Sequence, residues 1–367
     1  MTTIDERPAP ATTDHGLLDV VVVGAGQAGL SASYHLRRLG TEHVVLDANP
    51  GPGGAWRHRW PSLTFGGAHG IADLPGLPLG TPDPTEPASA VVERYYGTYE
   101  ERFGLPVVRP VRVTAVTSDD SPEGPLTVTT DAGTWHARTL INATGTWDRP
   151  HWPYVPGRET FRGRQMHTRD FWTVEDMRGQ DVIVVGGGTS AVQLLLALEG
   201  VARTTTWATR REPAWTPTPF DTAWGLDVEN RVRERTLAGL PTLSVVAATG
   251  LPLTPEYRRG IERGTLVSRG MFTRMVPDGV VFTNADGTER TVRADTVVWA
   301  TGFRPSLDHL APLRLREHGG GIRTDGTVVD RDPRVLLVGY GASASTLGAT
   351  RAGRRAALAA HERAASA

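Results

Sequence analysis

The chain contains no cysteine and no lysine in its 367 residues. Without cysteine there is no disulfide, no thiolate metal site, no CxxC redox pair and no sulfur nucleophile. Without lysine there is no Schiff base and no Walker A phosphate loop. All 39 basic side chains apart from histidine are therefore arginine, a preference that GC-rich codon usage explains, as it does the 42 glycines and 27 prolines. An excess of one charge sign is missing too. The 39 basic residues face 40 acidic ones, for a net charge of -1, so there is no basic footprint for nucleic acid. No uninterrupted apolar run approaches the roughly 20 residues of a membrane span. Residues 1–16, with Asp5, Glu6, Pro8, Pro10 and Asp14, lack the apolar segment of a secretory signal and read as a disordered tail. The expectation is a cytoplasmic protein with no nucleic-acid or membrane partner, long enough for two domains of ordinary size.

What is present begins with an apolar run ending at Val23, which breaks into Gly24-Ala25-Gly26-Gln27-Ala28-Gly29 and then into a helical pattern ending at Leu39. Gly24 permits the sharp turn, Gly26 leaves bare backbone for a pyrophosphate, and Gly29 lets helix and strand pack closely. A second apolar segment, His43–Leu46, ends in Asp47, eighteen residues after Gly29. That is where a dinucleotide fold keeps the acid that holds a ribose.

The following loop, 49–60, combines glycines with Trp56, Trp60 and three basic residues, a composition common in loops that line a site. A helix is predicted over 88–103, with Val92, Tyr95, Tyr96 and Tyr99 on or near one face as core rather than ligand box. Strand-like segments at 107–116, 126–130 and 135–137 lead into an apolar strand from Thr139 that stops at Ala143-Thr144-Gly145. Pro150 to Pro156 marks a domain boundary.

The second half repeats this plan. Asp181–Val185 runs into Gly186-Gly187-Gly188-Thr189-Ser190-Ala191, a hairpin pattern follows at 279–292, and a strand ends at Ala300-Thr301-Gly302. From first fingerprint glycine to alanine-threonine-glycine turn the spacing is 121 residues in one copy and 116 in the other. The fold class is thus α/β, with two Rossmann-like units and the second inserted within the first: 17–155 and 301–367 for one, 156–300 for the other. The second copy has Arg210-Arg211 where the first has Asp47. Arginine there accommodates a 2′-phosphate, so the first unit suits FAD or NAD and the second NADPH.

This pattern resembles the two-dinucleotide-binding-domain flavoproteins over roughly residues 17–350. Within them it resembles the single-component, class B flavin-containing monooxygenases. Phe161-Arg162-Gly163-Arg164-Gln165-Met166-His167-Thr168-Arg169-Asp170-Phe171 is similar to their FxGxxxHxxx(F/Y) signature, and Gly54-Ala55-Trp56 to their GGxW segment. The resemblance implies FAD on Gly24, Gly26, Gln27, Ala28, Gly29, Asp47, Gly54 and Trp56. It implies NADPH on Gly186, Gly188, Thr189, Ser190, Ala191 and Arg210 or Arg211. Val113, Ala143, Thr144, Gly145, Thr301 and Gly341 are further expected cofactor contacts, no metal is expected, and His167 is expected to be architectural. Residues 338–349 and the helix that follows resemble the segment that returns over the flavin.

The implied activity is oxygenation of a small nitrogen or sulfur nucleophile by a flavin hydroperoxide, with O2 as co-substrate, in a monomer or homodimer. Two departures bear on it. No asparagine stands in Ser62-Leu63-Thr64-Phe65-Gly66, where many members keep one, and His69 is the nearby donor taken as the catalytic candidate. Phe171 occupies the place where Baeyer-Villiger members carry tryptophan, with Trp172 one position late. That favours heteroatom oxygenation over ketone oxygenation. A cysteine-free NADPH-dependent flavin reductase serving a ferredoxin-like partner remains the competing class. Loops 57–80 and 212–275 hold the substrate choice.

Overall fold

The computed structural model describes residues 13–68, 71–119, 121, 123–216, 232–242, 250–344 and 346–366. Its first sheet is built on β1 (Asp14–Val23). Val20, Val21 and Val22 are wholly buried, as a central parallel strand covered on both faces requires. β2 (His43–Leu46) and then β3 (Val107–Val108) lie in parallel on one side of β1. On the other side, β4 (Val113–Ser118) and β5 (Leu126–Thr130) form an antiparallel extension of β6 (Thr134–Asn142), the direct parallel neighbour of β1.

The segments expected separately at 135–137 and from Thr139 are the single strand β6. Its burial alternates beside β5 and becomes continuous where it enters the sheet centre. Arg138 is the outward charge that interrupts the apolar pattern, 3.6 Å from Asp19. β1 itself starts inside the stretch read as a tail. Thr134 N donates to Thr13 O at 2.9 Å, and His15 stacks on Trp135 at 3.9 Å. Residues 1–12 lie outside the described residues.

The second sheet is fully parallel. It runs β7 (Arg164–His167), then the later strand Thr296–Trp299, then β8 (Asp181–Val185) and β9 (Thr204–Ala208). A short parallel pair, β10 (Trp215–Thr216) with β11 (Leu251–Pro252), and an antiparallel meander of β12 (Arg274–Val276), β13 (Gly279–Thr283) and β14 (Glu289–Arg293) accompany it. With Thr296–Trp299 as β15, the chain then returns to the first sheet through β16 (Thr324–Asp325), β17 (Val328–Val329) and β18 (Val335–Leu337), the last parallel to β6. The two crossing strands are bonded to each other: Pro150 bridges Phe303, His151 N donates to Gly302 O at 2.9 Å and Arg304 N to Arg149 O at 2.8 Å. The second unit is therefore inserted in the first.

α1 (Gln27–Leu39) and the C-terminal helix Thr346–Ala365 cover one face of the first sheet. Ala352, Ala356, Ala357 and Ala360 are fully buried, a small-residue stripe that lets two helix backbones meet. At Gly353 a Cβ would stand 2.6 Å from Ala28 O and 2.9 Å from Ala32 N. α2 (Ala88–Phe103) places its tyrosines in the core as expected. They also hold the proline-rich segment above them: Tyr95 Oη accepts from Leu74 N at 2.7 Å and donates to Leu77 O at 2.5 Å, and Tyr99 Oη donates to Pro75 O at 2.8 Å.

The return segment is pinned to β6 by a chain of bonds. His309 Nε2 donates to Asn142 Oδ1 at 2.7 Å, Asn142 Nδ2 to Thr144 Oγ1 at 3.0 Å, and Thr144 Oγ1 to Ser306 O at 2.6 Å. Burial pushes the His309 imidazole down from its ordinary 6.5 to about 4, so it is neutral at pH 7.

Two stability predictions follow from these contacts. Gly353→Ala forces a methyl group onto fixed backbone and is expected to cost about 1–3 kcal/mol; an unchanged urea midpoint would refute the close approach. For His309 the folded state takes up the proton later than the unfolded chain. Its contribution is complete above pH 6.5 and drains away as pH falls toward 4, by about 2 kcal/mol at pH 5. His309→Gln should lose less stability than the parent between about pH 7.5 and 5, as read by denaturant midpoints; equal losses would count against it.

Candidate active site

A cleft of about 810 Å³ opens at the C-terminal end of the first sheet, the side on which α/β folds bind ligands. Its floor is the glycine turn. Gly24 has φ +102°, and a Cβ there would stand 2.7 Å from Ala143 O. A Cβ at Gly29 would stand 1.9 Å from Gly24 O, so this residue faces the packing and not the cleft. Gly26 has nothing within 4 Å of a built Cβ. It is the N-cap of α1, with no side-chain cap and no acid in the first turn. The uncapped start of α1 therefore lies beside open space at Gly26, which suits an anion.

Gly54 covers the turn from above, its own Cβ position 2.8 Å from Gly26 Cα. Gln27, Ala28, Trp56, Val113, Ala143, Thr144 and Gly145 complete the walls. Gln27 also ties α1 to the C-terminal helix, its Nε2 donating to Thr350 Oγ1 at 2.9 Å. These features fit a dinucleotide: bare backbone where a pyrophosphate lies, and an acid where a ribose lies.

That acid, Asp47, is 3% exposed and held in place. Oδ1 accepts from the backbone N and the Nδ2 of Asn49, both at 3.0 Å, and Oδ2 is 3.4 Å from Arg109 Nη2. Arg109 is itself clamped by Glu100 through bonds of 2.5 and 2.8 Å. The sequence pattern missed Arg109, along with Tyr96, Arg169, Ser306 and His309 in the cleft wall. Only the fold brings these distant stretches together.

The wall continues into an aromatic seam where the two units meet. Trp60 meets Phe171 edge-on at 5.4 Å, Trp147 stacks on Phe303 at 5.1 Å, and Phe303 meets the His167 ring at 4.9 Å. His167 is fully buried. Its Nδ1 accepts from Arg169 N at 3.1 Å, so Nε2 carries the proton it donates to Gly302 O at 3.1 Å. Nε2 is spent on one crossing strand and Nδ1 on the turn that follows β7, which makes the residue architectural. Burial is also the main reason its pKa is lowered.

Arg59 lies on this seam, its guanidinium carbon 4.7 Å from the Trp147 ring centre and 5.7 Å from that of Trp56. Its Nε is enclosed without a hydrogen-bond partner. Burial alone pushes its pKa down to about 10. The two ring contacts return on the order of 1–4 kcal/mol, against several kcal/mol for a desolvated ion.

The second glycine turn repeats the geometry of the first. Gly186 has φ +137°, and a Cβ there would stand 2.1 Å from Ala300 O. Gly188 has nothing within 4 Å and is the N-cap of α3 (Thr189–Ala197), again with no side-chain cap and no acid in the first turn. Thr189 and Ser190 form that first turn, while Ala191 is fully buried against the sheet. Arg210 and Arg211 are exposed just beyond β9. Burial lowers the His151 pKa, and the charges of Arg304 and Arg210 lower it further, so Arg304 and His151 from the crossing strands lie within electrostatic reach of Arg210. Neither had a sequence signal.

Two expected contacts have other neighbours in the fold. Thr301 Oγ1 donates to His151 O and so ties the crossing strands. A Cβ on Gly341 would stand 2.6 Å from Thr236 Oγ1, outside the cleft wall. His69 lies outside the described residues. Among the described residues there is no group of three or more potential metal ligands, and no helix is long and apolar enough to cross a membrane.

Comparison with known proteins bears on this geometry. The sequence profile of the pyridine nucleotide-disulphide oxidoreductase family matches residues 21–240. A flavin-containing monooxygenase from Stenotrophomonas maltophilia is similar in structure, with a TM-score of 0.78 and 37% identity across 94% of this chain and 98% of that one. A Baeyer-Villiger monooxygenase from Streptomyces coelicolor is 28% identical over 347 residues, covering 79% of this chain and 65% of that protein. A ferredoxin–NADP reductase from Salinispora tropica is 27% identical over 326 residues, covering 88% and 85%. The chain thus belongs to the pyridine nucleotide-disulphide oxidoreductase family and, within it, to the flavin monooxygenases, as a flavin-dependent oxidoreductase that uses FAD and NADPH.

Proposed function

We propose that the chain is an NADPH-dependent monooxygenase that places one atom of O2 on a small nitrogen- or sulfur-containing nucleophile. The observation that carries this reading is the aromatic seam of Trp56, Trp60, Trp147, Phe171 and Phe303 beside the flavin cleft. Oxygen transfer to substrate rather than to water needs a dry site. A reductase serving a protein partner needs an exposed flavin edge instead.

In this reading 17–155 and 301–367 form the FAD unit and 156–300 the NADPH unit. The N–H groups at Gly26 and the start of α1 hold the FAD pyrophosphate, and Asp47, oriented by Asn49 and Arg109, accepts from the ribose. Gly188 and the start of α3 hold the NADPH pyrophosphate, while Arg210, Arg211 and Arg304 meet its 2′-phosphate. His167 positions the two units by fixing the crossing strand at Gly302. FAD, when bound, supplies the electron transfer and oxygen activation; the protein binds, aligns and keeps water out.

Phe171 is buried against Trp60, whereas Trp172 is 60% exposed. The displaced tryptophan therefore does not fill the inward place, which Phe171 takes, and this supports heteroatom oxygenation over attack on a ketone. The similarity to a ferredoxin–NADP reductase keeps a cysteine-free reductase as the second reading.

Two measurements test these assignments. A charge-assisted contact to phosphate is worth on the order of 1.5–3 kcal/mol. Arg210→Ala or Arg211→Ala is thus expected to weaken NADPH about 10- to 150-fold and leave NADH nearly unchanged; equal loss for both cofactors would refute the 2′-phosphate assignment. In the second, NADPH oxidised, H2O2 released and oxygenated product are counted with an amine, a sulfide and a ketone. One product per NADPH with the amine or sulfide is expected. Stoichiometric H2O2 with no product on any of the three would favour the reductase.

A further inference from the structure

Arg59 has no counter-charge. Three other arginines about the cleft are paired, Arg109 with Glu100 and Asp47, Arg169 with Asp148 and Arg149 with Asp308, and Arg112 is exposed to solvent. Among the described residues the Arg59 side chain has neither ion pair nor hydrogen bond, and its Nε is sealed from solvent. A guanidinium cannot shed its proton to escape the cost of burial. The two indoles beneath it compensate only part of that cost. An enclosed cation of this kind marks the place of an anion that arrives with a ligand.

Its position says which ligand. Arg59 is not among the residues walling the cleft, whose pyrophosphate end is already served by the open start of α1. It belongs to the seam. The next residue, Trp60, meets Phe171 of the inserted unit, and further along the same loop Gly67 O accepts from Gln193 Nε2 of α3 at 3.3 Å. A substrate meeting both cofactors has to lie between the units.

Its charge says which chemistry. The guanidinium over the Trp56 and Trp147 rings is a single positive charge without a partner among the described residues, so one positive charge awaits one negative charge. A phosphate dianion would leave an excess charge in an apolar seam, whereas a carboxylate balances Arg59 and matches its planar fork with two parallel bonds. The flanking Trp56 and Trp147 rings suit an aromatic body behind that carboxylate.

We propose that Arg59 anchors a substrate site for small aromatic monocarboxylates at the seam between the two units, with Trp56 and Trp147 against the aromatic body. That the ligand is a substrate rests on the monooxygenase reading. The preferred nucleophile is then an amine or sulfide that also carries a carboxylate.

The test uses the FAD holoenzyme with (phenylthio)acetate and its uncharged analogue (phenylthio)acetamide. Both carry the same sulfide and differ in charge. Binding is read by equilibrium dialysis and tryptophan fluorescence, and turnover by sulfoxide formation. The parent is expected to bind the acid at least about tenfold more tightly than the amide, as one charge-assisted pair provides. Arg59→Met is expected to bind the two alike, and Arg59→Lys to keep part of the preference, with FAD content and the rate of flavin reduction by NADPH unchanged.

Equal binding of acid and amide by the parent, binding of neither, or a preference that survives in Arg59→Met would overturn the proposal. So would loss of FAD or slowed flavin reduction in Arg59→Met with the preference intact, since the awaited anion would then belong to a cofactor. Should Arg59→Met fail to fold, the parent pair and Arg59→Lys still decide. Acid binding that needs Arg59 but yields no sulfoxide would remove the monooxygenase reading and leave the carboxylate site standing. Sulfoxide formed equally well from both compounds would do the reverse.

Discussion

The contact on which the molecule depends is the approach of a bare glycine to the carbonyl of an alanine at the end of a neighbouring strand. It occurs twice, at Gly24 over Ala143 O and at Gly186 over Ala300 O, with built Cβ distances of 2.7 and 2.1 Å. Neither pair tolerates a side chain on the glycine. Because each pair is closed, the strand ends sit side by side and the following helix starts where it leaves its N–H groups uncovered. Both cofactor sites and the meeting of their two units are consequences of this spacing.

Much of that was legible in the sequence because it is encoded by local, type-specific residues. A glycine at positive φ, a capless helix start and a strand of consecutive valines each have one cheap physical solution, so the fingerprints, their repeat and the insertion could be read directly. Asp47 was readable in the cleft wall for the same reason: it sits at a fixed offset from a recognisable turn. What could not be read was assembled by tertiary contact. Arg109 reaches Asp47 from 62 residues away, and His309 reaches Asn142 from 167 away. No spacing rule anticipates either. Thr301 misled for the opposite reason. Its turn resembles Ala143-Thr144-Gly145, yet its hydroxyl is taken by His151 O on the adjoining crossing strand.

The loop after Trp56 shows how composition can indicate a site without indicating its use. Two tryptophans and three basic residues suggested a lined cavity, but the side chains part company in space. Arg57 turns back to Glu93 at 3.1 Å, His58 bonds Asn49 at 2.7 Å while stacking on Trp147, and the Arg59 side chain lies in the seam without a partner among the described residues. A sequence shows three basic residues in a row; only the fold separates the unpaired one from the two that have partners.

The pair of crossing strands has a mechanical side. They are joined to each other by the Pro150–Phe303 bridge and the backbone bonds around it, and His167 ties one of them to β7. A ribbon of two bonded strands resists stretching and sliding, because either would break its rungs together, yet it twists at little cost. The two units are thus connected less like beads on two strings than like a door on a single hinge pin. Their separation is fixed by the ribbon, and the angle between them is set by contacts away from it, Trp60 on Phe171 and Gln193 Nε2 to Gly67 O.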